Sequence, residues 1–497
     1  MKISLIPINK KSAVRTYVLS YFQGENPNSA AGWQRLSPAG KKIVTAYFKE
    51  NFSGQSGQEQ VSLTGRGREA VLLLGLGNKG GWNQHRQVLS IRRIVQLAKK
   101  SRISQLMIWL DDLNIKNQVA AKLIEIVCNQ AQYADYDFNK YKKKPTNGWP
   151  NIQQLVLAIS DKVTSDLKQA VHFGQIIAEE ANNARELSNM PGGEMTPTTL
   201  TNEALAVAKK YKLKAEILKP KQIEAIGMGG IVGVSRGSDE EPRFIILEYN
   251  GSADKKAKPI IIVGKGVTFD TGGLNVKPED SMYEMHMDMA GAASAIHAIA
   301  AIARLKIEQR VVVLVPAVEN MPSGSGYRPG DVLRSLSGKT MEVINTDAEG
   351  RLILADALTY AERYKPKLVI DLATLTGAAM VALGGWATAL FTDKENIEKL
   401  FRESGEATGD YVWPLPLWEE YEGEVKGTFA DVANIGKLKG KGGAITAAIF
   451  LKQFARKYPW VHLDIASTMT SIDGQYISKG ATGAGLRVVV EAIRNLE

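Results

Sequence analysis

Two apolar runs constrain this chain most: Ile260-Ile261-Ile262-Val263 and Val311-Val312-Val313-Leu314-Val315. β-Branched stretches this continuous suit central strands buried on both faces, so helices must cover the sheet that holds them. The first run ends abruptly in Gly264-Lys265-Gly266-Val267-Thr268-Phe269-Asp270-Thr271-Gly272-Gly273, with Lys277 and Asp288 following. A second polar cluster, Asn345-Thr346-Asp347-Ala348-Glu349-Gly350-Arg351-Leu352, lies downstream. Ligands and reactive groups in α/β proteins collect where strands end, which makes both clusters candidates for one site.

Asp270, Asp288, Asp347 and Glu349 sit among glycine, alanine, methionine and β-branched residues, the company of an interior. Carboxylates buried together repel and must be neutralised. Two divalent cations would do so, with Lys265, Lys277 and Arg351 completing the balance. If the second cluster is extended, Asp347, Glu349 and Arg351 point the same way. Helix caps and surface salt bridges explain any one of these acids singly, but not seven charged residues flanked by glycine turns.

At these residues the chain resembles the leucine aminopeptidase family of dinuclear metallo-aminopeptidases, whose signature octapeptide stands unbroken from Asn345 to Leu352. The resemblance covers the second half and, more loosely, the first. It implies that Asp270 and Glu349 bridge two metals, that Asp347 serves one through carboxylate and main-chain oxygen, and that Asp288 and the Lys265 amine serve the other. A ligating lysine is neutral, so Lys265 is expected to have a lowered pKa. Lys277 is expected to stabilise the oxyanion, and Arg351 to hold a bicarbonate acting as general base.

The resemblance further implies peptide substrates with a free N-terminus, whose α-amine binds one metal, and a homohexamer. Met285, Thr374, Ala466 and Met469 match positions lining an apolar side-chain pocket, and the backbone at Leu375 and Gly377 matches substrate contacts. For each methionine, ordinary core packing is the competing reading. Oxygen ligands with one amine suit manganese or zinc first, then cobalt or magnesium. The chain departs from relatives at His286, left without a role, and at Ala290, where glycine is usual.

A chain of 497 residues exceeds what one core serves, and two domains are expected. Strand-like runs at Ile3–Ile8, Tyr17–Phe22, Ala70–Leu76, Gln105–Leu110 and Gln154–Ile159 alternate with helical periodicity at Gln84–Lys100 and Gln118–Gln130. This gives a small N-terminal α/β domain over 1–160. A linking helix over 161–190 leads to a larger catalytic α/β domain over 191–497, with a mixed central sheet covered by helices. In that domain Pro259–Phe269, Arg310–Pro316, Leu368–Leu372 and Val461–Ile465 read as strands, and Met289–Leu305 and Leu352–Arg363 as helices.

Gly75-Leu76-Gly77-Asn78-Lys79-Gly80 fits a dinucleotide-binding fingerprint, yet about 20 residues on, where that site needs an acid, stand Leu97 to Lys100. A tight strand-to-helix turn is the simpler reading. Cys128 alone excludes an intramolecular disulfide framework. The apolar start, broken by Lys10 and Lys11, is shorter than a secretory h-region would be, and no run reaches membrane-spanning length; a cytoplasmic protein is expected. The net charge of +10 is small against 62 basic and 52 acidic residues. Weak nucleic-acid binding through the loops at Lys142–Lys144 and Lys437–Lys441 is the most it allows.

Overall fold

The computed structural model describes residues 1–64, 69–254, 256–438 and 440–496. Among these the chain forms two compact units, Met1–Glu179 with Ile472–Ser478, and Glu180–Ser471 with Lys479–Glu497. The division falls inside a helix, Ser165–Ser188.

In the first unit the strands are β1 (Lys2–Pro7), β2 (Thr16–Phe22), β3 (Glu59–Thr64), β4 (Glu69–Gly77), β5 (Gln105–Trp109) and β6 (Gln154–Ile159). They form one sheet in the order β1-β6-β5-β2-β4-β3, parallel except for the edge pair β3–β4. Helix Gln84–Lys100 is capped by Asn83, whose side chain accepts from Arg86 N–H. The sequence reading passes over a second helix, Pro38–Glu50, although Ser37 caps it and proline takes its first position. It also passes over β3, whose apolar alternation is only Val61 and Leu63.

The glycine turn is a packing device. A Cβ on Gly75 would lie 2.0 Å from the Gln55 carbonyl oxygen, and Gly77, at φ +79°, lies against Ser56. The backbone of residues 54–58 thus occupies the approach that a pyrophosphate would need. The fingerprint's helix, moreover, starts only after an intervening turn at Lys79–Gly81.

The second unit holds β7 (Lys214–Leu218), β8 (Arg243–Asn250), β9 (Ile260–Gly264), β10 (Gly266–Asp270), β11 (Arg310–Asn320), β12 (Val332–Arg334), β13 (Thr340–Glu342), β14 (Leu368–Ala373), β15 (Thr388–Phe391), β16 (Val412–Pro414), β17 (Val432–Ala433) and β18 (Trp460–Asp464). The main sheet runs β16-β15-β18-β14-β9-β11-β8-β7, with β10 also on β11; β12, β13 and β17 form a small separate sheet. Strands β9, β11, β14 and β18 are mutually parallel, while β8 runs against both its neighbours and β15 runs against β18 but with β16, so the sheet is mixed.

Side chains alternate across it. Ile261, Val263, Val312, Leu314 and Val369 share a core with helices Gly350–Ala361 and Gly443–Lys452. The other face takes helix Ala290–Arg304, buried from Ala290 to Ile302. Its alanines permit close approach: a Cβ on Gly264 would lie 2.7 Å from Ala292 Cα.

The stretch Pro259–Phe269, expected as one strand, is interrupted at Lys265. β9 and β10 follow β11 in the same register, and one residue then slips between Val267 and Asp270. The break at Lys265 and the bulge before Asp270 interrupt the regular alternation at the strand ends, where both side chains meet partners from other segments.

Candidate active site

The parallel strands end on one edge, and the charged residues stand there. Lys265 follows β9, Asp270 closes β10, Asn320 closes β11, Thr374 follows β14 and Asp464 closes β18. Ligand-capable oxygens of Asp270, Asp347 and Glu349 lie within 4.8 Å of one another. Lys265 Nζ is 2.8 Å from Glu349 Oε1, 2.8 Å from Asp288 Oδ2 and 2.8 Å from the Thr374 carbonyl oxygen. Lys277 Nζ is 2.8 Å from Asp270 Oδ2 and 2.5 Å from Asp347 Oδ1. Three acids thus form a tight group, and Asp288 joins it through Lys265.

The octapeptide is not extended. Thr346 and Asp347 form a turn, and Glu349, with φ −76° and ψ −38°, already begins helix Gly350–Ala361. The expectation that alternation aims Asp347, Glu349 and Arg351 together is therefore wrong. Their positions come from the turn and the first helical residues, held by hydrogen bonds from outside the octapeptide.

Asn434 donates to the carbonyls of Asn345 at 2.7 Å and Ala348 at 3.3 Å, and its side-chain oxygen accepts from Ile344 N–H at 2.7 Å. Thr346 Oγ1 donates to the Gly272 carbonyl at 2.6 Å, and Thr346 N–H to Asn275 Oδ1 at 2.8 Å, which ties the two charged clusters together. Gly350 is required by contact, since a Cβ there would lie 2.5 Å from Lys265 Cε.

Further residues, passed over in the sequence reading, fix the acids and the loop beside them. Asn320 donates to Asp270 Oδ1 at 2.8 Å and to the Thr346 carbonyl at 2.9 Å, and Tyr327 donates to that same carbonyl at 2.6 Å. Asp464 Oδ1 accepts from the backbone of Leu375 at 3.1 Å and Ala466 at 3.2 Å, while Oδ2 accepts from Thr376 Oγ1 at 2.7 Å. A polar residue closing an apolar strand is the signal that could have identified Asn320 and Asp464.

The substrate-pocket candidates are arranged around this edge. Thr374 is buried, and its hydroxyl donates to Asp288 Oδ1 at 2.7 Å. Leu375 and Ala466 share Asp464, and exposed Gly377 opens helix Gly377–Leu383. Met285 lies half-buried on the 3-10 turn Met285–Met287 before Asp288, whereas Met469 is buried with its carbonyl accepting from Thr482 N–H at 2.9 Å. His286 is on the same turn, not a strand, so alternation cannot pair it with Asp288; burial lowers its pKa. Ala290 is the buried first residue of its helix.

Charge within the cluster is unbalanced. Burial, reinforced by Glu349, raises Asp270 to about 6 against the opposing pull of Lys277 and Lys265. Burial likewise raises Asp347, and raises Asp288 well above the usual carboxylate range. Only Glu349 is lowered, because Lys265 and Lys277 outweigh its burial. Burial pushes the Lys265 ammonium down, but Asp288 and Glu349 hold it above its ordinary value, opposite to the lowered value expected of a ligating amine. A dication taking the proton's place would reverse that balance.

Four carboxylates against two lysine ammoniums is the donor set of a hard or borderline cation, and oxygens this close suit metal ligation. Arg351 is buried; its Nη1 donates to the Asn434 carbonyl at 2.7 Å, and its Nε finds no hydrogen-bond partner among the described residues. Burial lowers the guanidinium to about 10. An unpartnered buried donor of this kind fits a small anion.

The family model described as "Cytosol aminopeptidase family, catalytic domain" matches residues 182–490, and that for the N-terminal domain of the same family matches 18–145. A probable cytosol aminopeptidase of Nitrosococcus oceani is 40% identical over 480 residues, covering 95% of this chain and 94% of the relative. One from Paraburkholderia phymatum is 39% identical, covering 94% and 92%. Among solved structures, the bottromycin maturation enzyme BotP in complex with Mn superposes with a TM-score of 0.84 at 30% identity, covering 97% of this chain and 100% of the other.

Proposed function

Because this chain belongs to the cytosol aminopeptidase family, we propose that it is a leucyl aminopeptidase, releasing leucine and similar apolar residues from peptide N-termini with two divalent cations. The observation that carries this reading is the group of Asp270, Asp347 and Glu349 at the strand ends, with too few ammonium groups to neutralise it. Asp270 and Glu349 would bridge the cations, Asp347 would hold one, and Asp288 with Lys265 the other. Manganese or zinc suits this set best, and cobalt or magnesium is compatible. Bound there, such cations polarise a scissile carbonyl and make a water acidic near neutral pH.

The chain's own groups would do the rest. Lys277, beside Asp270 and Asp347, supplies a positive charge for the carbonyl oxygen as it becomes negative, an effect worth several kcal/mol in comparable sites. Arg351 offers Nε to a bicarbonate, which would accept the proton released in attack. Met285, Thr374, Ala466 and Met469 would shape the side-chain pocket, and the Leu375 and Gly377 backbone would orient the peptide. Asp464 fixes Leu375, Thr376 and Ala466 relative to one another and so acts as a positioning residue. A catalytic domain over 191–497, a linking helix over 161–190, a cytoplasmic location and a homohexamer complete the proposal. The test is release of leucine from Leu-p-nitroanilide: activity lost on chelation, restored by manganese or zinc and absent in Asp347→Ala supports the reading, while full activity in that variant refutes it.

A further inference from the structure

We infer that the six-stranded unit carries a binding site for a small phosphoryl dianion, separate from the aminopeptidase centre. The loop after β1, the start of β2 and the 3-10 turn Ala31–Arg35 enclose a cavity of about 220 Å³. Lys10, Lys11, Arg15 and Arg35 line it together with Ser12 and Tyr17, and no acidic residue does.

The cup is built on fixed backbone. Arg35 Nη2 donates to the carbonyls of Ile8 and Lys10, pinning the loop from which the two lysines project. Lys10 N–H donates to the Pro7 carbonyl at 2.9 Å, and Val14 N–H donates to Ser12 Oγ at 3.1 Å. Beneath, Tyr17 pairs with Met107 across β2 and β5, and both are buried with Val14. The floor is apolar and the wall cationic.

Two buried cations elsewhere in this unit are neutralised in place. Arg93 Nε lies 2.7 Å from Glu59, and Lys99 Nζ lies 2.7 Å from Asp137. Lys10, Lys11, Arg15 and Arg35 have no carboxylate within ion-pair distance among the described residues. Four like charges around one concavity over an apolar floor focus a positive potential into it. A tetrahedral dianion answers this arrangement: guanidinium forks bind two of its oxygens at once, while ammonium groups bind as point charges. The volume is below the about 300 to 1,000 Å³ of pockets for drug-sized ligands, so it suits one phosphoryl group with little attached. A cup, unlike a long basic track, also favours a small molecule over a polymer backbone.

Equilibrium dialysis of the full-length, metal-loaded protein against radiolabelled inorganic phosphate tests the inference. The double variant Lys10→Gln/Lys11→Gln, and Arg15→Gln separately, should weaken phosphate binding by about tenfold or more while Leu-p-nitroanilide hydrolysis stays at the wild-type rate. Lys142→Gln/Lys143→Gln, on a different basic loop, should bind phosphate as the wild type does. Saturable binding lost only in the first two variants supports the site. Absence of binding to the wild type, unchanged binding in the Lys10/Lys11 variant, or equal loss in the Lys142/Lys143 control would overturn it. So would duplex DNA binding that depends on Lys10 and Lys11 when phosphate binding does not.

Discussion

Two of the buried charge clusters in the larger unit are built to different ends. Around Glu180, His297 Nδ1 stands at 2.8 Å, Arg304 Nη1 at 2.6 Å and the Tyr211 hydroxyl at 2.9 Å. Burial alone would raise this carboxyl, but His297 and Arg304 more than offset it and hold it at about 2. At the strand ends, burial wins for Asp270, Asp347 and Asp288 despite two ammonium groups. One cluster is closed: a single acid surrounded by donors. The other has more acid than its own cations can satisfy. Burial of charge is common to both, so only the sign and size of the imbalance separates a structural ion network from a cation site.

The sharpest way to break this comparison is to remove one acid from each. Asp347→Ala should lower kcat/KM on Leu-p-nitroanilide by about a thousandfold or more. Glu180→Gln should leave kcat/KM within about threefold yet cost roughly 3 to 5 kcal/mol of stability in urea or thermal melts, as loss of one partner from a buried ion pair does. Similar activity losses in the two variants would erase the distinction. Cation removal should come next: chelation should abolish hydrolysis and lower the melting temperature. Divalent cation at about a hundred times its Kd should then return about 2.7 kcal/mol.

The two clusters should also respond to acid in different pH ranges. Glu180 is depressed from 4.5 to about 2, so its contribution is present above about pH 4.5 and is lost as pH falls toward 2, on the order of 3 kcal/mol, readable as acid unfolding that Glu180→Gln no longer shows. Asp270 is raised to about 6 and must lose its proton to take a cation, so cation affinity measured by calorimetry should rise as pH climbs through 6. Affinity flat across that range would contradict the role given to Asp270. The smallest effect is expected at Asp464. An amide there can keep its oxygen on the Leu375 and Ala466 N–H groups but puts an NH2 where Oδ2 accepts from the Thr376 hydroxyl, and Asp464→Asn should raise KM by up to about tenfold with a smaller change in kcat.

Much of this was legible because the residues that matter are either periodic or chemically out of place. Ile260–Val263 and Val311–Val315 announce buried strands, and helix Gln84–Lys100 follows its periodicity to the residue. The acids of the two clusters stand out against glycine and alanine, and the octapeptide supplies the family. What stayed hidden depends on distance in space. Asn434 clamps the octapeptide from 86 residues beyond Ala348, and Asn320 reaches Asp270 across 50. No local pattern marks Asn434, and Asn320 shows only as the polar residue that closes an apolar strand.

The conformation of Asp347–Arg351 was hidden for another reason. Its turn-then-helix path is set by Asn434, Asn275 and Thr346, so alternation gave a plausible convergence by the wrong geometry. Helix Glu395–Thr408 escaped notice because its buried face is little more than Ile397 and Phe401 beneath a charged exterior. Lys439, within one of the basic stretches singled out in the sequence, lies outside the described residues.

The central claim is that carboxylates from separate loops hold two divalent cations at the strand ends. Its most direct test is the metal content of the purified full-length chain, measured by elemental mass spectrometry after equilibration with manganese or zinc and removal of free ion. Two cations per chain in the wild type, falling to one or none in Asp270→Ala while Glu180→Gln keeps both, is the predicted result. A wild-type chain that retains no cation, or an Asp270→Ala variant that retains two, would contradict it.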